Sequence, residues 1–398
     1  MNKQQKLTEK RYVVPFVLIT TLFFLWGFAR AILDVLNKHF QNTLDMKTTE
    51  TALIQVTTYL GYFLMAIPAG MFIRRYGYRH GVVLGLVLFG LGALAFIPGS
   101  TFTAFLAALF VIGCGLTFLE TAANPYVTEL GPRNTASSRL NLAQTFNGMG
   151  CFMATFIVGG FLFGGGEGTA DVAVPYAVMG VLVLLIALLF SRVELPEIED
   201  ESAAEAQRSP LTSLFKNRLF VFGLLALLAY EVAEISINSY FVIFVTGTGW
   251  MTDIAAKNVI SLALVIFMAG RFLGSWVMRY VSAARLLLWC AVGTVACMAL
   301  TMLNLGTVSL VALILNYLFE AIMFPTIFSL AVEGLETGQK KSAASLLMMT
   351  PIGGCAFLLM GWLADTTNAF LPFVIPLMGF LVVLAYAWRS ILSLEFRV

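Results

Sequence analysis

Apolar residues run through this chain about twenty positions at a time, and the polar residues gather between those runs. A hydrocarbon core roughly 30 Å thick takes about 20 residues of helix at 1.5 Å per residue. Scanning at that length predicts helices near 14–36, 52–73, 80–97, 102–127, 139–163 and 173–192. A second set falls near 218–246, 256–278, 284–302, 307–332, 342–363 and 368–390. The links are short and often carry Pro or Gly, as in Ile97-Pro98-Gly99-Ser100 and Leu130-Gly131-Pro132-Arg133. The predicted fold class is all-α and integral to the membrane, with twelve transmembrane helices.

One polar link is longer. Residues 193–217 carry Glu194, Glu197, Glu199, Asp200, Glu201 and Glu205 and separate six helices from six. The expected organisation is a six-helix half over 1–192, a flexible cytoplasmic linker over 193–217, and a second six-helix half over 218–398. An even number of spans leaves both termini on one side. Of the 24 Lys and Arg residues, 19 lie on that side, and the opposite loops hold Lys38, Lys47 and Lys257. The positive-inside rule therefore makes both termini cytoplasmic, and the short opposite loops fit a bacterial inner membrane.

Composition narrows the functional classes. Hydrophobic residues make up 59% of the 398 and charged residues 12%, about half the charge of a soluble domain. That much apolar surface suits a bundle whose exterior faces lipid. The basic residues are scattered over short loops, so no nucleic-acid partner is expected. Cys114, Cys151, Cys290, Cys297 and Cys355 all fall inside apolar stretches and are expected as free packing thiols. Gly164-Gly165-Gly166 has no preceding strand and no phosphate-loop lysine. HExxH, GxSxG and paired-Cys motifs are absent, so no enzyme, metal site or cofactor is expected.

The two halves repeat one another. Glu120-Thr121-Ala122-Ala123-Asn124-Pro125 lines up with Glu320-Ala321-Ile322-Met323-Phe324-Pro325 at an offset of 200, and Asp34 with Glu234 at the same offset. Gly70 matches Gly274, and Gly150 matches Gly354, at an offset of 204. A six-plus-six duplication in one orientation is the arrangement of the major facilitator superfamily, whose solute site lies between the halves near the midplane. Each such unit holds its own pathway, so a monomer is expected.

A charged side chain at the bilayer centre costs at least about 2.5–3.5 kcal/mol, yet Asp34, Glu120, Glu231, Glu234 and Glu320 all lie within spans. A carboxyl held away from water favours its neutral form, and so lends itself to loading and releasing a proton. The only histidines, His39 and His80, lie at helix ends, so proton coupling falls to carboxylates. Gln144 and Asn147, three apart on one helix face, offer donors and acceptors to sugar hydroxyls. Trp26, Phe28, Phe118, Tyr230 and Tyr240 offer rings for the apolar face of a pyranose. Packing alternatives stand beside these roles. Arg30 is four residues before Asp34 and forms either an ion pair with it or a clamp for a substrate carboxylate. Glu320 either serves function, bonds a neighbouring helix or pairs with Arg271. A break is expected at Asn124-Pro125, just after Glu120.

Several stretches carry a family resemblance. Gly70-Met71-Phe72-Ile73-Arg74-Arg75-Tyr76-Gly77-Tyr78-Arg79 resembles the superfamily's signature between helices two and three, with Arg74 where an acid is usual. Gly70, Arg75, Gly77 and Arg79 are its gating-loop positions. Phe24-Leu25-Trp26-Gly27-Phe28 followed by Asp34, then 119–128, 139–147 and Phe324-Pro325-Thr326-Ile327-Phe328-Ser329-Leu330, resemble the L-fucose:proton symporter family, which includes glucose/galactose carriers. That resemblance implies proton-coupled sugar uptake by alternating access, with Asp34 and Glu120 handling the proton. It also implies a polar helix-five face at Gln144 and Asn147. Arg30, Glu234, Trp26, Phe28 and Tyr230, taken from their own chemistry and placement within spans, are further candidates for the sugar. The partners implied are a sugar, a proton and the lipid bilayer. A carrier of an amino sugar, an acidic sugar or another small polar solute is the alternative, and a membrane sugar sensor a minor one.

Overall fold

The computed structural model describes residues 7–43, 48–97, 102–163, 173–192 and 211–395, and the side chains of 29–55 and 155–176 lie outside that description. The described residues form helices and connections without a strand. The first half comprises α1 (Val13–Thr43), α2 (Thr48–Leu94), α3 (Phe102–Glu129), α4 (Ala136–Phe163) and α5 (Ala173–Arg192). The second comprises α6 (Arg218–Gly247), α7 (Asp253–Val277), α8 (Ala283–Met302), α9 (Thr307–Glu320), α10 (Met323–Val332), α11 (Thr337–Leu347), α12 (Phe357–Thr366) and α13 (Val374–Glu395).

Each expected span finds a helix, though the boundaries differ in instructive ways. Spans two and three run together as α2, bent at Gly77, whose φ of 86° and ψ of 171° are non-helical. A positive φ is open to glycine at little cost, so the expected loop is reduced to one residue. Span ten is split into α9 and α10 after Glu320. Span eleven is split into α11 and α12 around a 3-10 segment at Thr350–Ala356, which contains Pro351 and two glycines. The break expected at Asn124-Pro125 is absent. Pro125 sits inside α3, which continues to Glu129, so the repeat's proline is absorbed in one half and follows a helix break in the other. Among the described residues nine stretches are long and apolar enough to cross a membrane, with Val56–Leu94 holding two spans.

The linker is partly ordered as well. Residues 193–210 lie outside the described part, but Leu211–Lys216 form a 3-10 helix with Leu214 buried. Asn217 then caps α6 by accepting from the backbone N–H groups of Leu219 and Phe220, both at 3.1 Å. A buried leucine and a capping asparagine tie down what composition alone marks as flexible.

Lipid gives helices no hydrophobic drive toward each other, so close packing must hold them. Gly27 on α1 and Gly150 on α4 permit it. A Cβ on Gly150 would collide with the backbone carbonyl of Phe24, and one on Gly27 with that of Asn147. The second half repeats the device, with Gly353 against the Leu228 carbonyl and Gly354 against Ile235 on α6. Overpacking against side chains costs typically 1–3 kcal/mol, and backbone yields less readily. Gly150→Val is expected to destabilise the first half by about 3 kcal/mol, read as a lowered midpoint of thermal unfolding in detergent.

Arg139, near the start of α4, is fully buried. Its guanidinium donates to the carbonyls of Val127 (3.0 Å), Leu7 (2.9 Å), Pro132 (3.0 Å) and Thr128 (2.7 Å), and to the Thr135 hydroxyl (2.7 Å). One side chain thereby fastens the N-terminal segment, the end of α3 and the α3–α4 turn. Stranding even two buried acceptors costs about 2–6 kcal/mol. Arg139→Leu is expected to fall in that range, measured by the same thermal unfolding.

Candidate substrate and proton site

Leu7 accepts from Thr135 and Arg139 beside the α3–α4 turn, and that end of the bundle, called the terminal end, also holds the α7–α8 turn. There the two halves are held together by polar side chains on small residues. The Ser137 hydroxyl bonds to that of Ser329 at 2.9 Å. Ser138 and Ser275 each donate to the other's carbonyl, at 2.7 and 2.8 Å. Asn141 donates to Thr326 at 3.1 Å. Lys340 pairs with Glu129 at 3.8 Å, both largely buried. The terminal end is closed.

Of the expected gating positions Gly70, Arg75, Gly77 and Arg79, Gly70 meets the other half. Gly70 lets α2 approach α11, since a Cβ there would collide with the side chain of Ser345. Arg74, which stands where the superfamily usually has an acid, donates to Ser342 in the other half at 3.5 Å. Lys341 of α11 lies 4.5 Å over the ring of Tyr78. Arg79 donates to the Ser191 carbonyl at the end of α5. Arg75 is exposed and lies over its neighbour Tyr76. The loop thus meets the second half through Gly70, Arg74 and Tyr78, while Arg79 anchors it within the first.

Further into the bundle the polar groups change character. Glu120 on α3 and Gln144 on α4 sit nine and eight residues from the terminal ends of their helices. At 1.5 Å per residue that is about 12–14 Å deep, near the middle of a 30 Å core. Glu120 is buried and accepts a 2.5 Å hydrogen bond from the Tyr62 hydroxyl. Gln144 donates to Asn124 at 3.3 Å, and its side-chain oxygen accepts from Arg271 of α7 at 3.3 Å. Arg271 also donates to the Ala321 carbonyl at 3.1 Å and lies 4.4 Å over Phe267. A line of side chains, Asn124–Gln144–Arg271, therefore crosses from the first half to the second at the depth of Glu120. Its geometry suits hydroxyl recognition, because donors and acceptors alternate along it.

The remaining candidates scatter around this line. Asn147, one turn further along α4, donates to the Phe23 carbonyl on α1 at 3.1 Å, so it faces α1 while Gln144 faces α3 and α7. Trp26 is buried against Phe23 with its indole N–H unbonded among the described residues, and Phe28 is half-buried beside Phe24. Tyr230 on α6 is buried and its hydroxyl has no hydrogen-bond partner among the described residues. Glu231 is buried, and Glu234, half-buried, accepts from Asn238 at 3.0 Å. Phe118 meets Phe72 edge-on, and Tyr240 sits in an aromatic cluster with Phe244 and Phe373. Both are packing residues. The side chains of Arg30 and Asp34 lie outside the described residues.

The Glu320–Arg271 pair is corrected. Glu320 is fully buried and accepts from Asn316 at 2.6 Å, while among the described residues Arg271 bonds neutral oxygens of Ala321 and Gln144. The guanidinium reaches across to the first half instead of back along its own. Arg271 and Asn124 escaped sequence reasoning as site residues. An arginine within a span was the signal for the first, and the Asn-Pro pair drew attention from the second.

Two closely packed six-helix halves joined by polar side chains at mid-depth define a secondary transporter fold, and a family model described as Major Facilitator Superfamily matches residues 19–350. The chain is 32% identical over 409 residues to the L-fucose-proton symporter of Escherichia coli K12, covering 95% of this chain and 93% of that one. It is 31% identical over 390 residues to a glucose/galactose transporter of Brucella abortus, covering 95% and 94%. The crystal structure of the Escherichia coli fucose:proton symporter superposes with a TM-score of 0.86 at 31% identity, over 95% and 99%. A structure of that transporter in the outward conformation gives 0.88 at 32% identity, over the same shares. The chain belongs to the L-fucose:proton symporter and glucose/galactose transporter family of the major facilitator superfamily. It is a multi-pass membrane protein of a family that transports and does not catalyse.

Proposed function

We propose that the chain imports a hexose, of the L-fucose, glucose or galactose class, together with a proton, by alternating access. The observation that carries this is the buried Glu120 carboxyl, bonded to Tyr62 at the depth where Asn124, Gln144 and Arg271 cross between the halves. Relatives at 31–32% identity over nearly the whole chain, named as L-fucose-proton symporters and glucose/galactose transporters, support the substrate class.

In this scheme Asp34 and Glu120 exchange the proton. Gln144, Asn147 and Glu234 bind sugar hydroxyls, and Trp26, Phe28 and Tyr230 line the ring's apolar face. Gly70, Arg75, Gly77 and Arg79 belong to the gate. The termini face the cytoplasm of a bacterial inner membrane, the halves are 1–192 and 218–398 with the linker between, and the monomer is the working unit. The closed terminal end then makes this the outward-facing state. An acidic sugar is the second candidate, supported by Arg271, whose buried guanidinium bonds no carboxylate among the described residues. Arg30 offers the same charge from the first helix.

Uptake of labelled L-fucose, galactose, glucose and galacturonate into proteoliposomes under an imposed proton gradient tests both. Accumulation of a neutral hexose that collapses with an uncoupler supports the symporter, accumulation of galacturonate alone selects the acidic sugar, and no accumulation of any overturns the proposal.

A further inference from the structure

At the terminal end a cavity of about 250 Å³ lies between the two halves. The first half supplies Arg133 and Ser137, from the α3–α4 turn and the start of α4. The second supplies Arg279 and Ser282 from the α7–α8 turn, Ser329 from α10 and Lys340 from α11. Three cations thus converge from both halves on a small space also lined by hydroxyls. The one carboxylate in the lining is Glu333. Lys340 is shared with Glu129 at 3.8 Å, longer than the 2.7–2.9 Å of a charge-assisted hydrogen bond. Neither Arg133 nor Arg279 pairs with a carboxylate among the described residues. The Nε–H of Arg279 has no hydrogen-bond partner among the described residues, and the outer N–H donors of a guanidinium lining a polar cavity can serve an acceptor there.

We propose that this cavity binds a small phosphomonoester or inorganic phosphate that bridges Arg133 with Arg279 and Lys340 and holds the terminal end shut. The chemistry fits an oxyanion with several acceptor oxygens. Guanidinium groups take phosphate through paired N–H donors, and Ser137, Ser282 and Ser329 offer hydroxyls. Its placement gives it a consequence. The walls belong to different halves, so opening the terminal end pulls the site apart, and the anion binds the closed state alone. A ligand of one state shifts the equilibrium by RT ln(1 + [L]/Kd), about elevenfold against opening at ten times Kd. Resting on the transport scheme proposed above, a sugar phosphate on the terminal side then slows import of free sugar, which is feedback from any reaction that phosphorylates the imported sugar.

The test uses the full chain purified in detergent and depleted of lipid, melted at constant ionic strength with inorganic phosphate, glucose 6-phosphate or chloride. Nanodiscs containing phosphatidic acid separate a lipid headgroup from a soluble anion as the source of the phosphate. The expected result is a raised unfolding midpoint with a phosphate source over chloride, lost in Arg279→Gln and in Arg133→Gln, each of which melts like wild type without phosphate. Sugar counterflow in vesicles with phosphate on the terminal side is expected to slow several-fold for wild type and to be unaffected in Arg279→Gln. No shift with any phosphate source, or a shift that both variants retain, overturns the site. Absence of counterflow in every condition counts against the transport scheme while the melting shift still reports the site.

Discussion

Glu120→Gln is expected to abolish accumulation of sugar while leaving exchange of sugar across the membrane intact. Gln keeps the size of the side chain and an oxygen to accept from Tyr62, whose hydroxyl bonds Glu120 at 2.5 Å. It cannot bind and release a proton. One proton per sugar converts each unit of pH gradient into about tenfold accumulation, since a pH unit is worth about 1.4 kcal/mol. In the variant that factor falls to one, whereas counterflow of labelled against unlabelled sugar, which needs no net proton movement, persists. The readout is the steady-state ratio of internal to external sugar at several imposed gradients. Accumulation that still rises tenfold per unit in Glu120→Gln would place the proton elsewhere.

The second large effect concerns the closed end. Ser138 on α4 and Ser275 on α7 bring their hydroxyl oxygens to 3.1 Å. A disulfide joins Cβ atoms 3.5–4.5 Å apart, so Ser138→Cys with Ser275→Cys is expected to cross-link on oxidation and fasten the halves. Transport requires that end to open once per cycle, so oxidation is expected to lower uptake at least tenfold and reductant to restore it. Each single variant, oxidised alike, controls for Cys151, Cys290 and Cys355, which are only half-buried. Full uptake by the cross-linked protein would contradict rocking of the halves.

Most of the fold was legible because the bilayer writes it in composition. Twenty apolar residues between polar links have one inexpensive arrangement in lipid, and the offsets of 200 and 204 carried the duplication. The breaks were less legible because they depend on local packing. Pro125 and Pro325 occupy matching positions, yet one lies inside a continuous helix and the other just after a break. The Ala321 carbonyl, left without its helical partner by Pro325, accepts from Arg271 at 3.1 Å, and periodicity carries no trace of that.

The candidate site was legible in part by the cost of its residues. Glu120 and Gln144 stood out as polar groups in apolar spans, and they lie at matching depth. Partners were not legible. Arg271 meets Gln144 across the interface of the halves, a pairing separated by 127 residues, and Glu320 turns to Asn316 on its own helix. Arg139 read as a loop cation and a family position, but its five bonds make it an anchor. Serines 137, 138, 275 and 329 carried no signal, because a serine within a span is ordinary until another serine faces it.

If sugar and proton cross together, sugar alone provokes a pH change. Proteoliposomes with no imposed gradient would receive L-fucose, galactose or glucose while external pH is recorded in weakly buffered medium. Symport predicts prompt alkalinisation outside with the transported sugar, abolished by uncoupler and absent in Glu120→Gln. Entry of labelled sugar with no pH change at any concentration would contradict it.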